Sequence, residues 1–385
     1  MRTRVLVGPA AAVVAVGALA VVAVPVVRSS DALTTDIRVA ADNPTTPPPA
    51  PLPATVRPLW TVSSTAPHGP VEGPTAVATG ADRVAGLDPA TGRERWSYRR
   101  GNARLCDSTL RDGVVIALFA ESHGCRDLIG LDAATGARRW TRTVEFTTDA
   151  VLSSGPSVAV ATAGDKMIAV DTGGGLNRWT YTAAGCRLDP ATAGRVAVAT
   201  VAHCGGEDRL VIHAPYADRT PWVSPQPAGT APRVVGTDDE VSVLSRSGGS
   251  PELTGYVPRE AQGNKQAATR AGSVRDARLA YAAEGPVASV TDSQVVVLWT
   301  GQRVVAVDTR ARRVRWTAAA SGPPLLAEGQ VLVVDAGGFT ARPVLTGTPA
   351  ARVTVTGGGP PAAAALSRVG RLVVVAGDGR LAAYG

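Results

Sequence analysis

Lysine, aromatic side chains and compact catalytic signatures are all scarce in this chain. Only Lys166 and Lys265 are lysines among 39 basic residues, aromatics make up 4% of the chain, and 385 residues hold four cysteines and four histidines. No two cysteines are adjacent, and there is no Gly-x-Ser-x-Gly elbow, no Walker loop and no His-Glu-x-x-His pair. Strong net charge is also missing, at +7. What is present is a 45% apolar share with 18% charge, which excludes a disordered or collagen-like chain, and 42 glycines with 29 prolines, which demand frequent turns and few long helices. The length suits two or three ordinary domains or one large repetitive one. Arginine in place of lysine, with abundant Ala, Gly and Val, matches the codon bias of a high-GC bacterium.

Residues 5–27 form an uncharged run between Arg4 and Arg28, long enough to cross a hydrocarbon core as a helix and longer than the apolar stretch of a usual secretory signal. Residues 1–33 are therefore expected to be a transmembrane signal-anchor, with cleavage after Ser30-Asp31-Ala32 as the competing reading. Arg2, Arg4 and the terminal amine outweigh Arg28, which keeps the N-terminus inside and sends the rest of the chain outward. Residues 34–56 carry the tract Pro44-Thr-Thr-Pro-Pro-Pro-Ala-Pro-Leu-Pro53 and read as an extended polyproline spacer.

The remaining span, 57–385, repeats itself. One motif recurs as VAGLDPATGRERW at 84–96, LIGLDAATGARRW at 128–140, MIAVDTGGGLNRW at 167–179 and VVAVDTRARRVRW at 304–316. Each copy has an aspartate eight residues before a tryptophan: Asp88 and Trp96, Asp132 and Trp140, Asp171 and Trp179, Asp308 and Trp316. A short alternating strand ends at the aspartate, whose carboxylate suits an Asx turn. Gly92, Gly136 or Gly175 then supplies a left-handed residue, and a second strand begins. Alternating strands precede each hairpin, at Val114 to Phe119, Val158 to Ala161 and Val295 to Trp299, giving four strands per unit. Units starting near 70, 103, 148, 184, 230, 285, 323 and 361 number eight. The last one stops after Arg380 to Tyr384, where its tryptophan strand is due, and Arg57-Pro-Leu-Trp-Thr-Val62 is such a strand with no unit before it. Trp60 and Tyr384 are thus expected to meet and close an eight-bladed, four-stranded antiparallel β-propeller.

The motif resembles the quinoprotein-type β-propeller repeat, Ala-x-Asp-x-x-x-Gly-x-x-x-Trp. That family includes quinone-dependent dehydrogenases and non-enzymatic BamB-like lipoproteins of outer-membrane assembly. Arg312 stands where the glycine belongs in the copy ending at Trp316, and Ala214 where the aspartate belongs in the copy ending at Trp222. The resemblance to the enzymes implies calcium-binding side chains, an aspartate base and often adjacent cysteines, and the last are missing here. Aspartates that recur once per blade at a turn are structural caps, and the tryptophans are docking residues between blades. The expectation is a protein without enzymatic activity, cofactor or metal.

The cysteines pair within repeats, Cys106 with Cys125 and Cys186 with Cys204, as disulfides that persist outside the cytoplasm. His123 beside Cys125 and His203 beside Cys204 raise a metal alternative, though close Cys-x-x-Cys spacing is absent. His68 and His213 read as ordinary residues, and Thr237-Asp-Asp-Glu240 as a hairpin cap. The function expected is a single-pass, outward-facing binding or assembly scaffold of the cell envelope, with a protein or envelope polymer as partner and no nucleic acid. A quinone-dependent dehydrogenase and a glycan receptor are the alternatives. The polar insert Pro258 to Arg275 is the candidate binding loop.

Overall fold

The structure, a computed structural model, describes residues 34–65, 71–121, 124–146, 150–281, 288–292, 295–360 and 365–385. Strands follow one another as antiparallel neighbours in eight sheets. Blade 1 runs Val71–Glu72, Thr75–Thr79, Arg83–Leu87 and Glu94–Arg100; blade 2 runs Arg104–Arg111, Val114–Glu121, Gly124–Asp132 and Arg138–Thr143. Blade 3 spans Val151–Gly155 to Asn177–Thr182, and blade 4 spans Arg187–Leu188 to Trp222–Pro225. Blades 5, 6 and 7 run from Arg233–Gly236 to Lys265–Arg275, from Ala288–Asp292 to Arg313–Ala319 and from Leu325–Ala327 to Ala351–Val355. Blade 8 takes three strands from Ala365–Val369, Leu372–Gly377 and Arg380–Tyr384, and its fourth from Pro58–Ser63, with Trp60 opposite Ala383 and Pro58 opposite Tyr384. Arg57 and Gly385 exchange both backbone hydrogen bonds at the end of that ladder.

The first strands touch from blade to blade all the way round, including blade 8 with blade 1, so they line a closed central channel. Packing explains why the second strands read as unbroken apolar runs. In Val114–Glu121, Val114, Ile116 and Leu118 pack with Leu152 and Ala159 of blade 3. Their alternates Val115, Ala117 and Phe119 pack with Val77, Val84 and Trp96 of blade 1. A strand whose side chains alternate between two neighbouring blades has no solvent face. Outer strands regain a polar pattern: in Arg138–Thr143 only Trp140 is buried.

The antiparallel order puts the first and third turns of every blade on one ring face, called lower here, and the second turns and blade-to-blade connections on the upper face. The segment expected to stand off as a spacer is laid along the ring instead. Thr35–Arg38 adds an antiparallel fifth strand to blade 1, and Thr55–Val56 adds a parallel fifth strand to blade 7. Between them the chain crosses the lower face. Ala40 N–H donates to Thr135 O, Arg95 binds Asp42, and Arg368 donates to Ala50 O. Prolines cannot donate to a ladder, but the residues flanking the tract can, and carbonyls within it still accept. The transmembrane helix expected in residues 1–33 lies outside the described residues, and among the described residues no helix is long and apolar enough to cross a membrane.

The insert expected as a loop is also a correction. Ser250–Ala261 and Lys265–Arg275 form one long hairpin, paired from Glu252 and Arg275 out to Ala261 and Lys265. Its tip leans on blade 4, where Thr220 N–H donates to Asn264 O and Asn264 Nδ2 to Asp218 O. The polar composition reflects a ribbon with one exposed face.

Candidate functional site

The recurrent aspartates and tryptophans sit on the lower face. Asp88 Oδ1 accepts from the backbone N–H groups of Ala90 and Thr91, and Asp132 Oδ1 from those of Ala134 and Thr135. Asp171 accepts from Gly174 N–H and Asp308 from Ala311 N–H. The tryptophan of each copy docks on the turn of the next blade. Trp60, Trp96, Trp140 and Trp316 donate Nε1–H to the carbonyls of Pro89, Ala133, Thr172 and Val344. Their rings lie on Gly92, Gly136, Gly175 and Gly347, where an added Cβ would come within 2.2 to 2.7 Å of the ring. Only glycine admits the ring and also takes the positive φ of these turns.

An arginine missed in the sequence completes the unit. Each strand register slips by one residue beside the tryptophan, so that Arg95, Arg139, Arg178 and Arg315 occupy β-bulges. A bulge re-aims its side chain. Arg139, Arg178 and Arg315 turn onto Asp132, Asp171 and Asp308, whereas Arg95 is taken by Asp42 of the strap. Burial alone would raise the Asp132 and Asp171 carboxyls, but hydrogen bonds from their arginines and from turn N–H groups hold both below the ordinary value. Asp308 is lowered chiefly by the Ala311 N–H, with Arg315 adding to it. The signal was in the sequence: an arginine precedes the tryptophan in all four copies.

Two departures from the motif compensate each other. In blade 5 the tryptophan position is Gly272, opposite Gly255, and in blade 6 the turn glycine is Arg312. Arg312 reaches back over Gly272, the Glu240 carboxylate covers Gly255, and the two charges stand 3.8 Å apart. Burial raises Glu240 above its usual value despite Arg312. Blade 4, lacking the motif aspartate, offers Trp179 the carbonyl of Ala214 and stacks His213 on its ring at 4.3 Å. His213 is 3% exposed and neither ring nitrogen has a partner, so burial pushes it down to about 4.

The disulfides stand at the upper face. Cys106 of the first strand joins Cys125, the second residue of the third strand, with 6.3 Å between Cα atoms; Cys186 joins Cys204, the last residue of the second strand, with 4.3 Å. Between these staples the channel wall opens into a cavity of about 620 Å³, lined by blades 2 to 5. It exists because blade 4's first strand breaks between Leu188 and Thr192 at Asp189-Pro190, where proline removes a ladder donor. Asp189 is anchored: its N–H donates to Val201 O, its carbonyl accepts from Thr200 Oγ1, and its Oδ1 meets His203 Nε2 at 3.0 Å and Arg187 at 3.3 Å. His203 Nδ1 contacts Asp208 Oδ1 at 2.6 Å. Thr109, Ser153, Ser154, Thr192 and Arg233 supply the other polar lining. Thr109 and Ser154 share a hydrogen bond at 2.7 Å, while Ser153 Oγ is buried with no partner.

These residues do not fit a calcium-held quinone. Among the described residues no group of three or more His, Cys, Asp or Glu side chains is placed to hold a metal ion, and no aromatic ring lines the cavity. His68 and His123 lie outside the described residues. The run Thr237 to Glu240 clamps blade 4, with Arg195 on Asp238 and Asp239.

A family model described as outer membrane protein assembly factor BamB matches residues 52–256. Among solved structures, the computationally designed Ika8 protein aligns with 85% of this chain and 98% of its own at 14% identity and a TM-score of 0.56. BamB from Moraxella catarrhalis aligns with 86% of this chain and 99% of its own at 15% identity and a TM-score of 0.49. A europium-containing methanol dehydrogenase aligns with 83% of this chain and 84% of its own at 12% identity and a TM-score of 0.48. No curated protein matches the chain.

Proposed function

We propose, from the premise that this chain belongs to the family of the outer membrane protein assembly factor BamB, that it is a membrane-anchored, extracytoplasmic binding and assembly scaffold and not a catalyst. The observation that carries this reading is the use made of the recurrent polar residues. Asp132, Asp171 and Asp308 are consumed by turn N–H groups and bulge arginines, and the tryptophans by neighbouring turns, so the recurrent residues serve to build a rigid ring. Two disulfides with no free cysteine among the described residues suit an oxidising compartment. The apolar run at residues 5–27 suits an anchor.

A fixed ring presents side chains at little entropic cost. Leu176, Tyr216 and Leu345 are exposed apolar residues in third turns of the lower face, in blades 3, 4 and 7. A photo-crosslinking amino acid placed at each of them in the native cell is expected to yield discrete adducts with envelope proteins. Absence of adducts, together with dye reduction by the purified chain given pyrroloquinoline quinone, calcium and an alcohol, would replace this reading with the dehydrogenase. Alkylation of intact cells tests the compartment, because cysteines that react without prior reduction contradict an outside location.

A further inference from the structure

We propose that the blade 6 side of the long hairpin, together with the third turn of blade 6, is a docking site for an acidic protein segment in which carboxylates flank an apolar side chain. This rests on the scaffold reading and names the chemistry of its partner. Pairing with the inner strand stops at Val241 opposite Tyr256, whereas the two hairpin strands stay paired out to Ala261 and Lys265. At about 3.4 Å per residue the ribbon stands about 17 Å below the rest of its blade. Cross-strand partners share a face, so Val257, Arg259, Ala261, Lys265, Ala267 and Thr269 lie on one side and Tyr256, Pro258, Glu260 and Gln266 on the other. The second side is taken up by blade 4. Tyr256 meets Trp222 at 5.6 Å between ring centroids, Arg219 pairs with Glu260, and Gln266 is buried.

The first side faces blade 6. It continues the alternation of Gly255, whose partner Gly272 lies under Arg312 of that blade. It carries two cations and no carboxylate: Arg259 and Lys265 are exposed, and among the described residues neither side chain has an ion pair or hydrogen bond. Arg310, in the blade 6 turn, is exposed and unpaired in the same way. The acids of this corner are already engaged, Glu240 by Arg312 at 3.8 Å and Asp308 by Arg315 and the Ala311 N–H. Asp218 belongs to the blade 4 turn on which the hairpin tip rests. Three uncompensated cations on two adjoining surfaces call for negative charge from outside the chain. An apolar residue stands among them, because Val257 is 46% exposed, with Ala261 and Ala267 on the same side. An apolar centre with a charged rim is the layout of a protein interface, and a guanidinium fork takes a carboxylate through two hydrogen bonds. A polyphosphate would answer the cations and leave Val257 in water. Strand addition is not the mode, since Pro258 on the ribbon's inner edge has no N–H to offer.

The test is fluorescence anisotropy of the labelled peptide Glu-Asp-Leu-Glu-Asp-Leu-Glu-Asp, titrated at low salt with the purified full-length chain in detergent. Saturable binding is expected, with a Kd of about 100 μM. Arg259→Gln combined with Lys265→Gln is expected to weaken it about fivefold, Arg310→Gln about twofold and Val257→Ser about threefold. Arg303→Gln combined with Arg380→Gln removes two equally free cations from the upper face and is expected to change nothing. If a variant loses its folded melting transition, the parent protein decides alone, by binding the peptide about threefold more tightly than a version with asparagine for both leucines. No saturation up to about 1 mM protein, or an equal loss in the upper-face variant, overturns the proposal. Indifference to Val257→Ser and to the peptide's leucines overturns it as well, because it marks a site for any polyanion. Adducts at Leu176, Tyr216 or Leu345 without peptide binding also overturn it, while leaving the scaffold reading in place.

Discussion

His213 gives the sharpest physical forecast. Replacing it with phenylalanine keeps a ring on Trp179 and removes two nitrogens that no group satisfies. The folded-state value of about 4 lies below the ordinary 6.5, so the unfolded chain takes up a proton as pH falls below 6.5 and the folded chain does not until about 4. Stability is therefore lost on acidification through that window and levels off below it. The loss is about 2 kcal/mol at pH 5 and about 3 kcal/mol at the plateau, at 1.36 kcal/mol per pKa unit. The lowered aspartates do not interfere, because their contribution is full above the unfolded value of 3.8 and fades only beneath it. Urea unfolding of parent and His213→Phe, followed by tryptophan fluorescence at pH 7.5 and pH 5, isolates the effect as a difference between differences. The variant is expected to gain about 1 kcal/mol at pH 7.5 from losing unpaired polar atoms, and a further 2 kcal/mol or so at pH 5. An unchanged gap between the two pH values would refute the argument that this ring is kept neutral by burial.

Glycine substitutions separate steric from conformational cost. Gly136→Ala puts a Cβ 2.6 Å from Trp96 at φ +74 and is expected to cost about 3 kcal/mol, whereas Gly113→Ala, at φ +69 with open space, costs about 1 kcal/mol by the same urea assay. Serine replacement of both Cys106 and Cys125 is expected to lower unfolding stability by about 3 kcal/mol for a 19-residue separation. With Cys125 fully buried and both partners of the other bridge half-buried, graded reductant with mass-tagged alkylation is expected to label Cys186 and Cys204 first. Arg312→Ala strips the partly buried Glu240 of its cation and is expected to cost about 2 kcal/mol at pH 7. Part of that returns near pH 5, because a carboxyl raised in the folded state gains stability by protonation as pH falls toward the unfolded value of 4.5.

The sequence was legible where the physics is local. An aspartate, a glycine and a tryptophan within nine residues define a turn and the strand after it, and counting these copies together with the degenerate units between and after them leads to eight sheets. It was opaque wherever a residue's partner lies on another blade. The turn at Asp88 receives Trp60, not the Trp96 of its own copy, and the missing tryptophan at Gly272 makes sense only beside Arg312, forty residues on. The strap was unreadable for the same reason: Thr35–Arg38 and Thr55–Val56 have no strand signature of their own and are strands only because blades 1 and 7 present open edges. The cavity depends on a break at Asp189-Pro190, which in the sequence looks like any other turn.

Closure of blade 8 sets a timetable for synthesis. The strand around Trp60 leaves the ribosome more than three hundred residues before Arg380–Tyr384, its only ladder partner among the described strands. Until that late strand arrives, an early edge and an indole without its sheet stand open to any passing backbone. The danger for the nascent chain is misjoining during that interval, and the lag, more than the loop-closure entropy, which grows only logarithmically with length, is what a cell making this ring must manage.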